Sequence, residues 1–205
     1  MSTHKQVGKM LFYGASGHGK VVIESWLAGK GKVAGIFDDD VNRSEILNYK
    51  VYGKYTTDHC AQETLLISIG SNSTRKKVAS SIKHRFGNVI HPASILSESV
   101  NLGLGSTIMA GVVVNAEVVI GDHAIINTGS IIDHDCVIGN FVHLAPGSTL
   151  CGNVIIGEGT LIGAGATIIP GIKIGAWVTV GAGAVVTKNI PDNAVVVGVP
   201  GRIRN

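Results

Sequence analysis

From Ile90 to Val186 an aliphatic residue returns at every sixth position: Ile90, Leu96, Leu102, Ile108, Val114, Ile120, Ile126, Ile132, Ile138, Leu144, Leu150, Ile156, Ile162, Ile168, Ile174, Val180 and Val186. The residue four places further on is small or aliphatic, from Ser94 to Ala184. Gly often follows the aliphatic position directly, as at Gly121, Gly139, Gly157, Gly163, Gly175 and Gly181. A period of six is no multiple of a helical turn. It does fit a short strand followed by a tight turn, where Gly and Asn supply positive φ. Three such units bend the chain through one coil of about 18 residues, and coils stack as parallel strands around an aliphatic axis. Residues 90–186 therefore predict about five coils of a parallel β-helix, roughly 25 Å tall at the spacing of adjacent strands.

The first half has a different pattern. The apolar run Lys9–Tyr13 meets Gly14-Ala15-Ser16-Gly17-His18-Gly19 and then Lys20–Leu27, which reads as strand, Gly-rich turn and helix. Val33–Phe37 predicts a second strand ending in Asp38-Asp39-Asp40, and Leu65–Ile69 a third ending in Gly70-Ser71-Asn72. A helix is expected over Ser73–Phe86 and another between the second and third strands. The order β-α-β-(α)-β-α describes a parallel sheet of Rossmann type. Such sheets bind ligands at the carboxyl ends of their strands, so Ser16, Gly17, His18, Asp38, Asp39, Gly70 and Asn72 are candidate ligand residues. Lys20 and Arg75 are further candidates for a phosphate charge. The G-x-x-G-x-G spacing, in a segment of about 80 residues, argues against a full dinucleotide site.

Charge changes the picture at one place. The segment 1–89 holds 13 Lys+Arg and 7 Asp+Glu, a net of +6; 90–186 holds 1 and 6, a net of −5; 187–205 holds 3 and 1, a net of +2. A domain boundary near residue 89 follows. Arg75-Lys76-Lys77 and Lys83-His84-Arg85 fit one solvated helix face, with no aromatic-interleaved basic stripe for nucleic acid. At 45% hydrophobic and 15% charged residues the chain is too apolar for disorder. No apolar run is long enough for a membrane span, and MSTHKQVGKMLFYG has no long apolar run followed by a cleavage site, so secretion is not expected. Three cysteines without a C-x-x-C, Cys60, Cys136 and Cys151, fit a reducing cytoplasm.

Within the charge-poor repeat, Asp133-His134-Asp135 stands out. His134 lies two places after the aliphatic Ile132, so it falls in a turn. A flanking carboxylate fixes an imidazole in one tautomer and stabilises its protonated form, which suits a general base. Cys136 holds a small core position. His123, His134 and His143 are spaced 11 and 9 apart, without the close pair that three converging zinc ligands use, so no metal is expected. A β-helical scaffold protein without catalytic activity would have no need of the Asp-His-Asp triplet.

The repeat resembles the hexapeptide-repeat transferases. GASGHGKVV, FDDD, SIGSN followed by RKKV, the repeat and the terminal VGVPGR together resemble the sialic-acid O-acetyltransferase and bacillosamine-pathway N-acetyltransferase family, over essentially the whole chain. The resemblance implies a Rossmann-like nucleotide-sugar-binding domain over 1–89 and a left-handed β-helix with a C-terminal tail over 90–205. It implies a homotrimer with acetyl-CoA held between neighbouring prisms. Acetyl transfer to the C4 amine of a nucleotide-linked 4-amino-4,6-dideoxy sugar is the expected reaction, with O-acetylation of sialic acid or a related sugar as the alternative. His134 is then the base and Asp135 its acidic partner, and His143 faces the acetyl group. Gly152, 18 residues after His134, offers an N–H to the thioester carbonyl. Ala164, Gly165, Ala182 and Gly183 leave room for the pantetheine arm, Asn127 and Asp133 orient the sugar, and Lys188, Arg202 and Arg204 are near enough to the C-terminus to meet CoA phosphates.

Overall fold

In the computed structural model, which describes residues 8–204, the chain divides into two units between Pro92 and Ala93. The first seven residues, on which the reading of the leader partly rests, lie outside the described residues.

The first unit is built on β1 (Lys9–Tyr13), which is apolar on both faces and takes the centre of a parallel sheet. Chain order continues with α1 (Gly17–Ala28), β2 (Lys32–Phe37), the hairpin β3 (Glu45–Ile46) and β4 (Tyr49–Lys50), β5 (Thr64–Ile67) and α2 (Asn72–Ala79). The sheet order is β2-β1-β5. One face carries a cluster of Leu11, Tyr13, Phe37, Leu65, Ile67 and Ile82. Phe12 and Ile36 are fully buried, as are Val22 and Ile23 of α1.

Two expected helices differ. The bracketed helix between the second and third strands is replaced by the hairpin, whose turn residues Leu47 and Asn48 have φ of 50° and 63°, the conformation that matches strand twist in a two-residue turn. The helix expected over Ser73–Phe86 ends at Ala79. Ser80 and Ser81 turn their hydroxyls back to the carbonyls of Lys77 and Val78, both at 2.8 Å, and Phe86 bridges to Leu65 in parallel. Serine competes for helix carbonyls in this way, which periodicity alone does not register.

The second unit is a parallel β-helix of two-residue strands. Val114 pairs with Ile132, Ile132 with Leu150, Leu150 with Ile168 and Ile168 with Val186, each 18 residues on. From Ile108 to Val186 every sixth-position aliphatic residue is at most 2% exposed, and each contributes about 1.5–3 kcal/mol by burial. The second inward column contains hydroxyls that complete the backbone ladder. Ser106 Oγ donates to Gly121 O and accepts from Ala124 N–H, and Thr160 Oγ1 donates to Gly175 O and accepts from Val178 N–H. The last coil is two residues shorter: Ile174 bridges to Ile190 and Val180 pairs with Val196, each 16 residues on. The six-residue series therefore stops at Val186, although pairing runs on to Val195–Val197.

The glycines that follow the aliphatic positions have one clear cause. A Cβ on Gly139 would stand 2.8 Å from Glu158 N and 3.0 Å from Ile156 O, in the next coil. Gly139→Ala should lower the unfolding free energy by about 1–3 kcal/mol through this overpacking, read as a lower urea midpoint at unchanged m-value.

Candidate active site

Two clusters of candidate residues form, one in each unit. In the first unit a cavity of about 240 Å³ opens at the carboxyl ends of the strands. Ser16, Asp38, Asp39, Arg43 and Thr74 line it, with Tyr13 and Ile69 behind them. The Gly-rich turn is shaped by close approach. Gly14 has a φ of 117°, and a Cβ there would lie 2.7 Å from Ile69 Cγ1 and 3.0 Å from Ser68 O; a Cβ on Gly19 would collide with Gly14 O. Gly17, by contrast, faces open space.

The acids after β2 have separate tasks. Asp38 Oδ2 accepts from Ala15 N–H at 2.6 Å and from Arg43 at 3.2 Å, while its Oδ1 accepts from Asp40 N–H at 2.9 Å. Asp38 thus clamps the Gly-rich turn to β2. Asp39 bonds the Tyr13 phenol, which burial first and this bond second push up in pKa. His18 packs beside Gly70, where a Cβ would stand 3.7 Å from its ring. Burial, reinforced by the Arg75 charge, lowers His18 to a pKa of about 4, so it is neutral at neutral pH.

Arg75 is not placed as an exposed phosphate ligand. It is 1% exposed, burial brings its pKa down to about 9, and its guanidinium donates to Ile69 O, Gly70 O and Asn72 Oδ1. Its observed task is to brace the loop that presents Gly70 and Asn72. Arg43 and Thr74 had no sequence signal, because only folding brings them to the strand ends.

In the second unit His134 stands in the turn between strands Ile131–Ile132 and Val137–Ile138, half exposed. Its Nδ1 lies 2.7 Å from Asp135 Oδ2. Asp135 has a φ of 60°, the left-handed turn conformation that short polar side chains tolerate. The Asp135 bond, with the Asp133 charge behind it, raises the His134 pKa. Asp133 Oδ1 accepts from Asn115 Nδ2 at 2.9 Å and from His134 N–H at 2.8 Å, and these bonds hold its carboxyl below the usual range. Gly152 lies against the imidazole: a Cβ there would be 2.6 Å from His134 Cε1. The missed residue here is Asn115, and its signal was available, since it precedes Asp133 by one coil of 18.

His143 begins strand His143–Leu144, paired with Ile125, and meets Asn127, which opens the turn before strand Ile131–Ile132. Asn127 Nδ2 is 3.2 Å from His143 Nε2. His123 stacks on Phe141, centroids 4.9 Å apart and 8° from parallel. Among the described residues no group of three or more His, Cys, Asp or Glu is placed to hold a metal ion. Cys136 is buried, its thiol raised by burial and donating to Cys151 O at 3.1 Å, which makes it a core residue. Ala164, Gly165, Ala182 and Gly183 form an exposed stripe, with open space where Cβ atoms on Gly165 and Gly183 would point. No helix among the described residues is long and apolar enough to cross a membrane.

Comparison with known proteins gives consistent matches. The family model of the PglD N-terminal domain matches residues 9–82. The bacterial transferase hexapeptide model, of six repeats, matches 117–152, 135–170 and 153–188. A search of curated proteins finds no match. Among solved structures, a histidine-to-asparagine mutant of perosamine N-acetyltransferase from Caulobacter crescentus, in complex with CoA and GDP-perosamine, is 41% identical over 98% of each chain, with a TM-score of 0.92. The acetyltransferase domain of PglB from Neisseria gonorrhoeae, in complex with acetyl coenzyme A, is 35% identical over 96% of this chain and 98% of its own, with a TM-score of 0.87. WeeI from Acinetobacter baumannii is 28% identical over 97% of this chain and 100% of its own, with a TM-score of 0.84.

The carboxylate on Nδ1 favours the protonated imidazole. An NMR titration should therefore place the His134 midpoint above the ordinary histidine value of about 6.5, and Asp135→Asn should move it down. A midpoint unmoved by Asp135→Asn would remove that carboxylate as the cause.

Proposed function

This chain belongs to the family of hexapeptide-repeat sugar acyltransferases that contains the bacillosamine-pathway N-acetyltransferases, and from that premise we propose that it transfers acetyl from acetyl-CoA to the amine of a nucleotide-linked amino sugar. The acceptor is the C4 amine of a 4-amino-4,6-dideoxy sugar. The observation that carries the reading is the 2.7 Å His134–Asp135 pair with Gly152 packed on its ring. Transfer forms the amide C–N bond and breaks the thioester C–S bond; the CoA thiolate leaves and takes up a proton, and the nitrogen needs an acceptor for the proton it loses. With Nδ1–H held by Asp135, the Nε2 lone pair of His134 is that acceptor. Asp133, held on one oxygen by Asn115, keeps the other edge of its carboxylate for the sugar.

Acetyl-CoA supplies an already activated thioester, so no covalent enzyme intermediate is required. Its arm fits the exposed small stripe of Ala164, Gly165, Ala182 and Gly183. His143 and the Gly152 N–H stabilise the charge that gathers on the thioester oxygen. In the first unit, Ser16, Gly17, His18, Asp38, Asp39, Gly70 and Asn72 serve the nucleotide sugar. The cavity at the strand ends supports Ser16, Asp38 and Asp39, and the open face supports Gly17; His18, Gly70 and Asn72 rest on their place in the loops after the strands alone.

The working form is a homotrimer in the cytoplasm, with His143 of one protomer serving His134 of its neighbour. The exposed column Val119, Val137 and Ile155, spaced one coil apart, supports association along one face. The three unpaired cysteines fit a reducing compartment.

The test is acetyl transfer across UDP-, dTDP- and GDP-linked 4-amino sugars, with acetyl-CoA as donor. His134→Ala should reduce turnover by about 10²-fold or more. A loss below about tenfold would exclude His134 as the general base.

A further inference from the structure

Asn127 opens the turn that follows strand Ile125–Ile126, and its backbone N–H is tied to Leu144 O at 2.9 Å in the coil above. Its side chain makes two contacts of opposite kind. Thr128 N–H donates to Oδ1 at 2.8 Å, and Nδ2 lies 3.2 Å from His143 Nε2. The first contact settles the orientation of the amide. A backbone N–H must meet an oxygen, so the oxygen faces Thr128 and the NH₂ faces His143. An amide NH₂ only donates. The ring nitrogen opposite it must therefore be an acceptor, which leaves the proton of His143 on Nδ1. An imidazolium at this place would set two donors against each other.

His134 is built the other way. A carboxylate faces its Nδ1, so the ring is offered an acceptor and protonation is favoured. His134 stands in a turn and His143 on the strand His143–Leu144, and their partners have opposite hydrogen-bonding sense. We propose that Asn127 is a positioning residue that locks His143 as the neutral Nδ1–H tautomer, making it a fixed hydrogen-bond donor and reserving proton removal for His134. The use of that donor at the thioester oxygen rests on the function proposed above; the lock itself does not.

The decisive variant is Asn127→Asp. It has the same size and still presents an oxygen to Thr128 N–H, so a purely structural task survives. Facing His143, however, it replaces a donor with an acceptor. In ¹⁵N-histidine NMR of the full-length wild type without substrate, His143 Nε2 should show a pyridine-like shift and Nδ1 a pyrrole-like one. In Asn127→Asp, at a pH above the His143 midpoint where the ring carries one proton, that proton should sit on Nε2, and kcat at that pH should fall by about tenfold or more with KM for acetyl-CoA nearly unchanged. Asn127→Ala should also lose the fixed tautomer. A protonated Nε2 in the wild type overturns the lock. A moved proton with kcat within about twofold of wild type overturns the positioning role. Absence of acetyl transfer by the wild type would count against the proposed function, while the substrate-free spectrum still decides the lock.

Discussion

The register of the second unit is set by one contact repeated: an inward aliphatic side chain stacked on the residue one coil away. Ile132 lies between Val114 and Leu150, and Ile138 between Ile120 and Ile156. Burial of these side chains supplies the driving force, and the backbone ladder fixes the spacing. Every turn residue inherits its place from that stack. His134 meets Gly152 because 18 residues make one coil, and Asn115 reaches Asp133 for the same reason. The exposed His134–Asp135 pair need not hold the turn in place, since surface ion pairs contribute little to stability.

A rigid scaffold lets similar side chains take unlike chemical tasks. His134 faces a carboxylate and its pKa rises. His143 faces an amide NH₂. His18, in the first unit, is buried beside a guanidinium and its pKa falls to about 4. His123 is stacked on a phenyl ring. The sign of each environment is decided by the nearest one or two groups, because desolvation and short hydrogen bonds outweigh distant charges. Polar groups set on a repetitive backbone can thus be tuned singly.

The Gly-rich turn of the first unit shows a related division. Gly14 and Gly19 are required by neighbouring atoms, and Gly17 is open. Asp38 and Arg75 spend their hydrogen bonds within the loops, on backbone groups and on the side chains of Arg43 and Asn72. The sequence offered Asp38 and Asp39 as equivalent neighbours. Folding commits the first to the turn and leaves the second paired with Tyr13 at the cavity wall.

The sequence alone determined the β-helix, its coil length and the position of His134 in a turn, because a strand-and-turn period is carried by covalent spacing. It also placed the three strands of the first unit's parallel sheet, each of which is a short apolar run. It did not show the shortened α2, the hairpin in place of a helix, or the 16-residue last coil. Those depend on serine hydroxyls, left-handed turn residues and stacking at the open end of the helix. Nor did it assign partners within the site. Whether Asn127 faces a ring nitrogen or a backbone N–H is a matter of side-chain orientation and of distances near 3 Å. Only the tertiary structure decides these, since hydrogen-bond direction is fixed by which atoms packing brings together and not by how far apart they lie along the chain.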